Sequence, residues 1–351
     1  KKVLKSRWNT SKKNSGNNQS YYPMDFNQFL IKAGRKVYNK VYPNSRIKVV
    51  KDNYDGKKIL SMEDGNNLIA RKLQSGEPLM VCRLGATETG CIENYIHQSE
   101  LRKAGPLERY FRQVKGDSAV WENRIRDNMR NWSGFFPQDD ASLDRFSRLY
   151  LDLIPDVDVL AVWYNPFEEE IYRRYCPDAA LVPLKSIESY YFEQPWTQFL
   201  EGKKVLVIHP FDISIKEQYQ QKRALLFRNK LILPAFELHT IKAVQTLVDN
   251  NTAFPTWFDA LEDMRMQMEK MDFDILLVGA GAYGLPLAAY AKRMGKQAIH
   301  FGGALQILFG IRGNRWDNIP EVNSLYNEHW VRPVKEETPA TYKKVEGGSY
   351  W

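Results

Sequence analysis

Short apolar runs recur along the chain, each bounded by Gly, Pro or polar residues. Segments 78–83, 158–164, 204–209, 231–234, 275–278 and 296–301 are of this kind. A run that is apolar at consecutive positions, and too short for a buried helix, suits a strand covered on both faces in a parallel sheet. Between these runs the apolar residues fall at helical spacing. Leu68, Ile69 and Leu73 mark a helix from about residue 64 that Gly76 ends, and 86–96, 168–175, 194–200, 214–228, 240–248, 255–271 and 285–294 follow. Residues 106–150 read as helical with one interruption, and 304–309 as a short helix. Alternation of the two patterns predicts an α/β protein with a mostly parallel sheet and helices on both faces.

The pattern also divides the chain. Residues 1–22 are polar and rich in Lys, Asn and Ser, the composition of a disordered tail. Residues 23–63 read as a peripheral arm, 64–319 as the α/β domain, and 320–351, irregular and carrying Trp330, Pro333, Pro339 and Trp351, as a segment wrapped over its surface.

Segment 273–303 is the most ordered part of the pattern: strand, glycine turn, small-residue helix, Gly295 as a stop, and a second strand, a βαβ unit. Gly279, Gly281 and Gly284 have the G-x-G-x-x-G spacing that lets backbone amides approach a diphosphate, with Tyr283 inside the turn. A nicotinamide dinucleotide site wants an acidic residue after the second strand, where this chain has His300, Phe301, Gly302 and Gly303. Another nucleotide or phosphate site fits better, and tight packing of strand on helix explains the glycines equally.

Composition changes this picture little. Of the net charge of +8, six positives (Lys1, Lys2, Lys5, Arg7, Lys12, Lys13) precede the first acid, Asp25, leaving about +2 for the remainder. No basic stripe interleaved with aromatics remains there, so nucleic acid is not an expected partner. The tail could touch an anionic membrane surface. Cys82, Cys91 and Cys176 are few, odd in number and lack metal-ligand spacing, and they read as buried thiols of a reducing compartment. The uncharged stretch 275–291 carries glycines and a proline and is not expected to span a membrane. No secretory signal is visible from Lys1 onward, and the expected location is cytoplasmic, with membrane association through the tail; sequons at Asn9, Asn18, Asn131 and Asn250 then mean little.

Ligands of open α/β sheets gather at the carboxyl ends of the strands, which selects candidates by position. Arg83 and Gly85 leave the first strong strand, and Glu88 sits in the first turn of the next helix. Trp163, Tyr164, Asn165 and Pro166 follow the second. His209 ends the third, beside Asp212. Gly302 and Gly303 precede a short helix, with Arg312 expected within reach of an anion there. The Asp156-Val157-Asp158 pattern looks like a metal motif but enters its strand at the amino end, away from that crevice. The aromatic loop 132–137 packs under the core edge or forms an acceptor wall.

With these residues placed, the chain resembles the bacterial glycosyltransferases of the GT-D fold. The signature is an Arg-x-Gly-x-x-Glu turn after an early strand, here Arg83-Leu84-Gly85-Ala86-Thr87-Glu88, with a late glycine-rich βαβ unit ending in Gly-Gly and a short helix, here 276–310. The resemblance implies a Rossmann-like enzyme that transfers a hexose from a nucleotide sugar, expected to be UDP-linked, to a glycan or glycolipid in cell-surface polysaccharide synthesis. It implies nucleotide-sugar contacts from Arg83, Gly85, Gly279, Gly281, Tyr283, Gly302, Gly303 and Arg312. Glu88, His209 and Asp212 are the candidate catalytic groups, Glu88 first because it lies in the motif. Metal-dependent relatives carry Asp-x-Glu in the signature, and here Ala86 replaces the Asp, so the diphosphate charge would be met by Mn²⁺ or Mg²⁺ on Glu88, or by Arg83 or Arg312. A nicotinamide-dependent oxidoreductase and a non-catalytic nucleotide- or glycan-binding protein are the alternatives.

Overall fold

The computed structural model describes residues 26–41, 50–246, 252–344 and 347–351. The basic tail 1–22 and the sequons at Asn9, Asn18 and Asn250 lie outside them.

In chain order the elements begin with α1 (Phe26–Val41), a two-stranded hairpin of β1 (Asn53–Tyr54) and β2 (Lys57–Lys58), and α2 (Met62–Gln74). Then come β3 (Leu79–Cys82), α3 (Ala86–Lys103), α4 (Pro106–Lys115), α5 (Asn123–Ser133), α6 (Asp140–Leu153), β4 (Val159–Val162), α7 (Glu168–Tyr175) and β5 (Ala180–Pro183). The second half runs β6 (Lys204–His209), α8 (Asp212–Leu226), β7 (Glu237–Lys242), α9 (Trp257–Glu269), β8 (Ile275–Val278), α10 (Gly284–Arg293), β9 (Gln297–His300), and the short α11 (Leu305–Leu308), α12 (Asn314–Asp317) and α13 (Pro320–Asn323).

The protein is α/β. Seven strands form one sheet in the order β5-β4-β3-β9-β8-β6-β7, every neighbouring pair parallel. The apolar runs work as their pattern requires, because period-two alternation sends consecutive residues to opposite faces. Met80, Cys82, Leu160, Leu206, Leu276 and Val278 pack with α3, α5, α6, α9 and α10 on one side. Leu79, Val81, Val159, Val205, Val207, Ile275 and Leu277 pack with α2, α8 and α11 on the other. Helix starts are set by local chemistry: Ser61 accepts the Asp64 amide at the head of α2, and Thr256 with Asp259 forms a reciprocal capping box on α9.

Two expectations fail at the sheet edge. Residues 231–234 are not a strand, since the Asn229 side chain caps the Leu231 amide in a turn and Tyr219 Oη donates to the Pro234 carbonyl. Residues 240–248 do not begin a helix: 237–242 pair along the whole of β6. β7 is an edge strand, and one-sided pairing leaves Glu237, His239 and Lys242 in a segment that does not read as a buried run. β5, at the opposite edge, is also absent from the apolar pattern. The helical stretch 106–150 is broken twice, at 116–122 and 134–139. Cys82, Cys91 and Cys176 are buried and unbridged. Among the described residues no helix is long and apolar enough to cross a membrane.

The chain fills one half of the sheet through β3, β4 and β5, then returns to fill the other, ending with β9 laid against β3. The order therefore reverses between β3 and β9, and a crevice opens outside the carboxyl ends of the strands at such a point.

Candidate active site

A cleft lies there, and segments following every strand of the large sheet except β5 line it: Arg83 to Glu88 after β3, Trp163 after β4, His209 to Phe211 at the end of β6, Val244 to Thr246 after β7, Gly279 to Gly281 after β8, and His300 with Gly302 and Gly303 at the end of β9. Trp132 to Gly134, Tyr150, the predicted Tyr283, Leu285, Arg315 and Tyr350 complete the wall.

Glu88 is the single carboxylate among the described residues that line the cleft. Ser133, the last residue of α5, donates its hydroxyl to Oε1 at 2.6 Å. The other oxygen rests on Gly85, where a Cβ would fall 1.9 Å from Oε2. Gly85 has an ordinary φ of −68°, so glycine is needed there for space and not for backbone conformation. Arg83 leaves β3 with its guanidinium 4.3 Å from the Trp163 ring centroid and its Nη1 against the Gly302 α-carbon. It makes no ion pair among the described residues, and its Nε is buried without a hydrogen-bond partner. Burial pushes the nearby Glu188 carboxyl up.

Trp163 is itself held from below. Glu168, fully buried at the head of α7, accepts the Trp163 and Asn165 amides and the Tyr54 hydroxyl, with Tyr164 and Phe167 at positive φ between them. Burial pushes its carboxyl up to about 7.

Two buried imidazoles face the cleft. His209 Nδ1 accepts the Phe211 amide at 3.0 Å, which places the ring proton on Nε2 and makes His209 a donor toward the cleft. His300 Nδ1 lies 3.3 Å from Cys82 Sγ, and its ring covers the α-carbon of Gly284. Burial drives both down to about 3, so both are neutral. A histidine whose folded value is depressed contributes stability above its ordinary 6.5 and loses it as the pH falls toward 3. Glu168 has the opposite sign, its contribution being complete below about 4.5 and lost as the pH rises through 7. Melting temperature is therefore expected to drop on acidification below 6.5 and His209→Gln to shallow that drop, whereas Glu168→Gln should flatten the neutral side; a His209→Gln profile parallel to wild type would refute the assignment.

The glycines of the turn are accounted for by packing. A Cβ on Gly279 would meet the Gly302 carbonyl at 2.6 Å, and one on Gly284 would meet His300 at 2.3 Å. Gly281 (φ +53°) alone faces open space. Tyr283 stacks on Trp257 at 4.7 Å, and no acidic residue follows β9. These positions do not compose a nicotinamide site.

Asp212 and Arg312 do not line the cleft. Asp212 opens α8 beyond the buried Phe211, and its carboxylate pairs with Lys216 at 3.2 Å. Arg312 is turned toward Asp317 (3.6 Å) and lies over Tyr326. Its place is taken by Arg315, whose guanidinium lies 4.9 Å from the Tyr350 ring centroid. Asp156 and Asp158 are tied at the amino end, Asp156 to Arg293 and Asp158 to Lys292 and the Met80 amide. The aromatic loop divides: Phe135 is core between Phe146, Trp257 and Phe258, while Trp132, 43% exposed, stands at the cleft rim.

The donor set does not fit a dedicated divalent-metal centre. Ala86 supplies no second carboxylate, His209 carries its ring proton on Nε2, His300 Nε2 is packed against Gly284, and no group of three His, Cys, Asp or Glu side chains converges among the described residues.

No protein-family model matches the chain, and no curated protein does. Two solved structures are similar to it. One is a selenomethionine-substituted structure of domain of unknown function 1792, at 10% identity over 89% of this chain and 96% of that one, with a TM-score of 0.44. In the other, domain of unknown function 1792 is described as highly conserved with a distinct glycosyltransferase fold; it is 11% identical over 88% of this chain and 96% of that one, with a TM-score of 0.41.

Proposed function

We propose that the chain is a glycosyltransferase of the GT-D kind, moving a hexose from a UDP-linked donor to a hydroxyl of a glycan or glycolipid in the building of cell-surface polysaccharide. The observation that carries this is one carboxylate, Glu88, fixed by Ser133 in the same cleft as the guanidinium of Arg83, which makes no ion pair among the described residues. Glycosyl transfer needs this pairing of unlike groups. The C1–O bond to the diphosphate breaks with its electrons left on the phosphate oxygen, where a cation stabilises them. The acceptor oxygen bonds to C1, and its proton passes to Glu88. His209, neutral with Nε2 protonated, is placed to donate to a sugar or phosphate oxygen. Trp132 and Trp163 offer flat faces of the kind sugar rings pack against. The basic tail remains a candidate for peripheral contact with a membrane that carries a lipid-linked acceptor.

The test is a thermal-shift series. UDP is expected to raise the melting temperature, by the equivalent of about 2.7 kcal/mol at a hundredfold excess over Kd, and UDP-hexose to be consumed once an acceptor is supplied. Quenching of tryptophan fluorescence by NADH but not by UDP would favour an oxidoreductase instead.

A further inference from the structure

We infer that the diphosphate is gripped by two guanidinium groups, Arg83, seated on Gly302, and Arg315, held by the Tyr350 that covers Gly303, and that this clamp stands in for a divalent cation. The inference rests on the glycosyltransferase assignment and adds to it the means by which the leaving group is held.

The two arginines come from opposite ends of the chain to one turn. Arg83 Nη1 would lie 2.5 Å from a Cβ on Gly302, which has a φ of +74°. Tyr350 Cε1 would lie 2.4 Å from a Cβ on Gly303, and the Tyr350 hydroxyl accepts from Arg315 Nη1 at 3.3 Å. The lack of side chains at 302 and 303 is what admits both neighbours. Arg315 is braced further along its backbone, its amide donating to the Ser349 carbonyl at 2.9 Å. Trp351 anchors the same segment, its indole N–H donating to the Glu337 carbonyl and its own carbonyl accepting the Asn314 amide.

Charge completes the case. A sugar-nucleotide diphosphate carries one negative charge on each phosphate, and the cleft presents one guanidinium for each. When the C1–O bond breaks, the terminal phosphate gains a further charge beside fixed cations, with the acceptor proton moving to Glu88. Guanidinium binds phosphate oxygens through paired N–H donors, so two of them can hold a diphosphate in place of a cation. The poverty of metal ligands at Ala86, His209 and His300 is consistent with the same division of labour.

The experiment is calorimetric titration of the full chain with UDP, in excess EDTA and again with Mn²⁺. Binding in EDTA is expected within about threefold of that in Mn²⁺. Arg83→Met and Arg315→Met should each weaken it by at least about tenfold, Arg315→Lys should recover part, and Arg312→Met should leave it unchanged. Binding that disappears in EDTA and returns with Mn²⁺ overturns the clamp while leaving the glycosyltransferase assignment standing. Wild-type affinity in a folded Arg315→Met variant also overturns it. Absence of UDP binding under both conditions overturns the inference and the assignment together.

Discussion

Glu88→Gln is expected to slow glycosyl transfer by about 10²- to 10⁴-fold while leaving the fold and UDP affinity near those of the wild type. The amide keeps the shape of the carboxylate, and its oxygen can still accept the Ser133 hydroxyl, so what is removed is the ability to take a proton. Gly85→Ala reaches the same end by a different route. The backbone there tolerates alanine, but the new methyl would overlap Glu88 Oε2 and turn the carboxylate out of the cleft. Both variants should melt close to wild type and fail in turnover. If Glu88→Gln retained activity within a few-fold, the proton would have to go elsewhere and the assignment of Glu88 would be lost.

Gly279→Ala is expected to cost more stability than Gly281→Ala, about 1–3 kcal/mol or more from overpacking. The added methyl would meet the Gly302 carbonyl at 2.6 Å and His209 Cδ2 at 2.7 Å. Neither is the far end of a flexible side chain, so β8 and β9 must part or the turn must move. Gly281→Ala is the control, since its cost is confined to a left-handed backbone conformation, about 1 kcal/mol. Denaturant midpoints should fall in the order wild type, Gly281→Ala, Gly279→Ala. Equal midpoints for the two variants would show that packing against Gly302 does not govern the turn.

The parts of the molecule legible in the sequence are those whose physics is local. β6 and β8 declare themselves because a strand covered on both faces must be apolar at every position, and α7 matches its expected span residue for residue. Arg83, Glu88, His209, Gly279, Gly302 and Gly303 meet in one cleft because each follows a strand whose carboxyl end could be located. The misses have a common origin in contacts between segments remote in sequence. Ser133 is one polar residue at a helix end, and nothing near it signals that the helix delivers it to Glu88. Arg312 and Arg315 differ by three positions in a glycine-rich stretch; the Arg312 amide pairs with the Val331 carbonyl, and Arg315, not Arg312, lines the cleft. Tyr350 arrives from a segment whose composition suggested only surface covering. His209 was found by location, but its tautomer is set by one backbone amide that no sequence pattern announces.

The placement of β9 between β3 and β8 bears on how the molecule comes into being. Leu79 must wait for Gln297 to emerge before its strand gains that neighbour, and Arg83 waits for Gly302 in the same way. Until then a nascent chain holds two incomplete half-sheets with exposed edges, and neither half has a cleft. Closure of such distant pairs is slow because the loop entropy must be met before contacts repay it. Completion of the sheet and creation of the cleft are thus one event, and a chain whose cleft is formed is by that fact a chain whose central strand is in place.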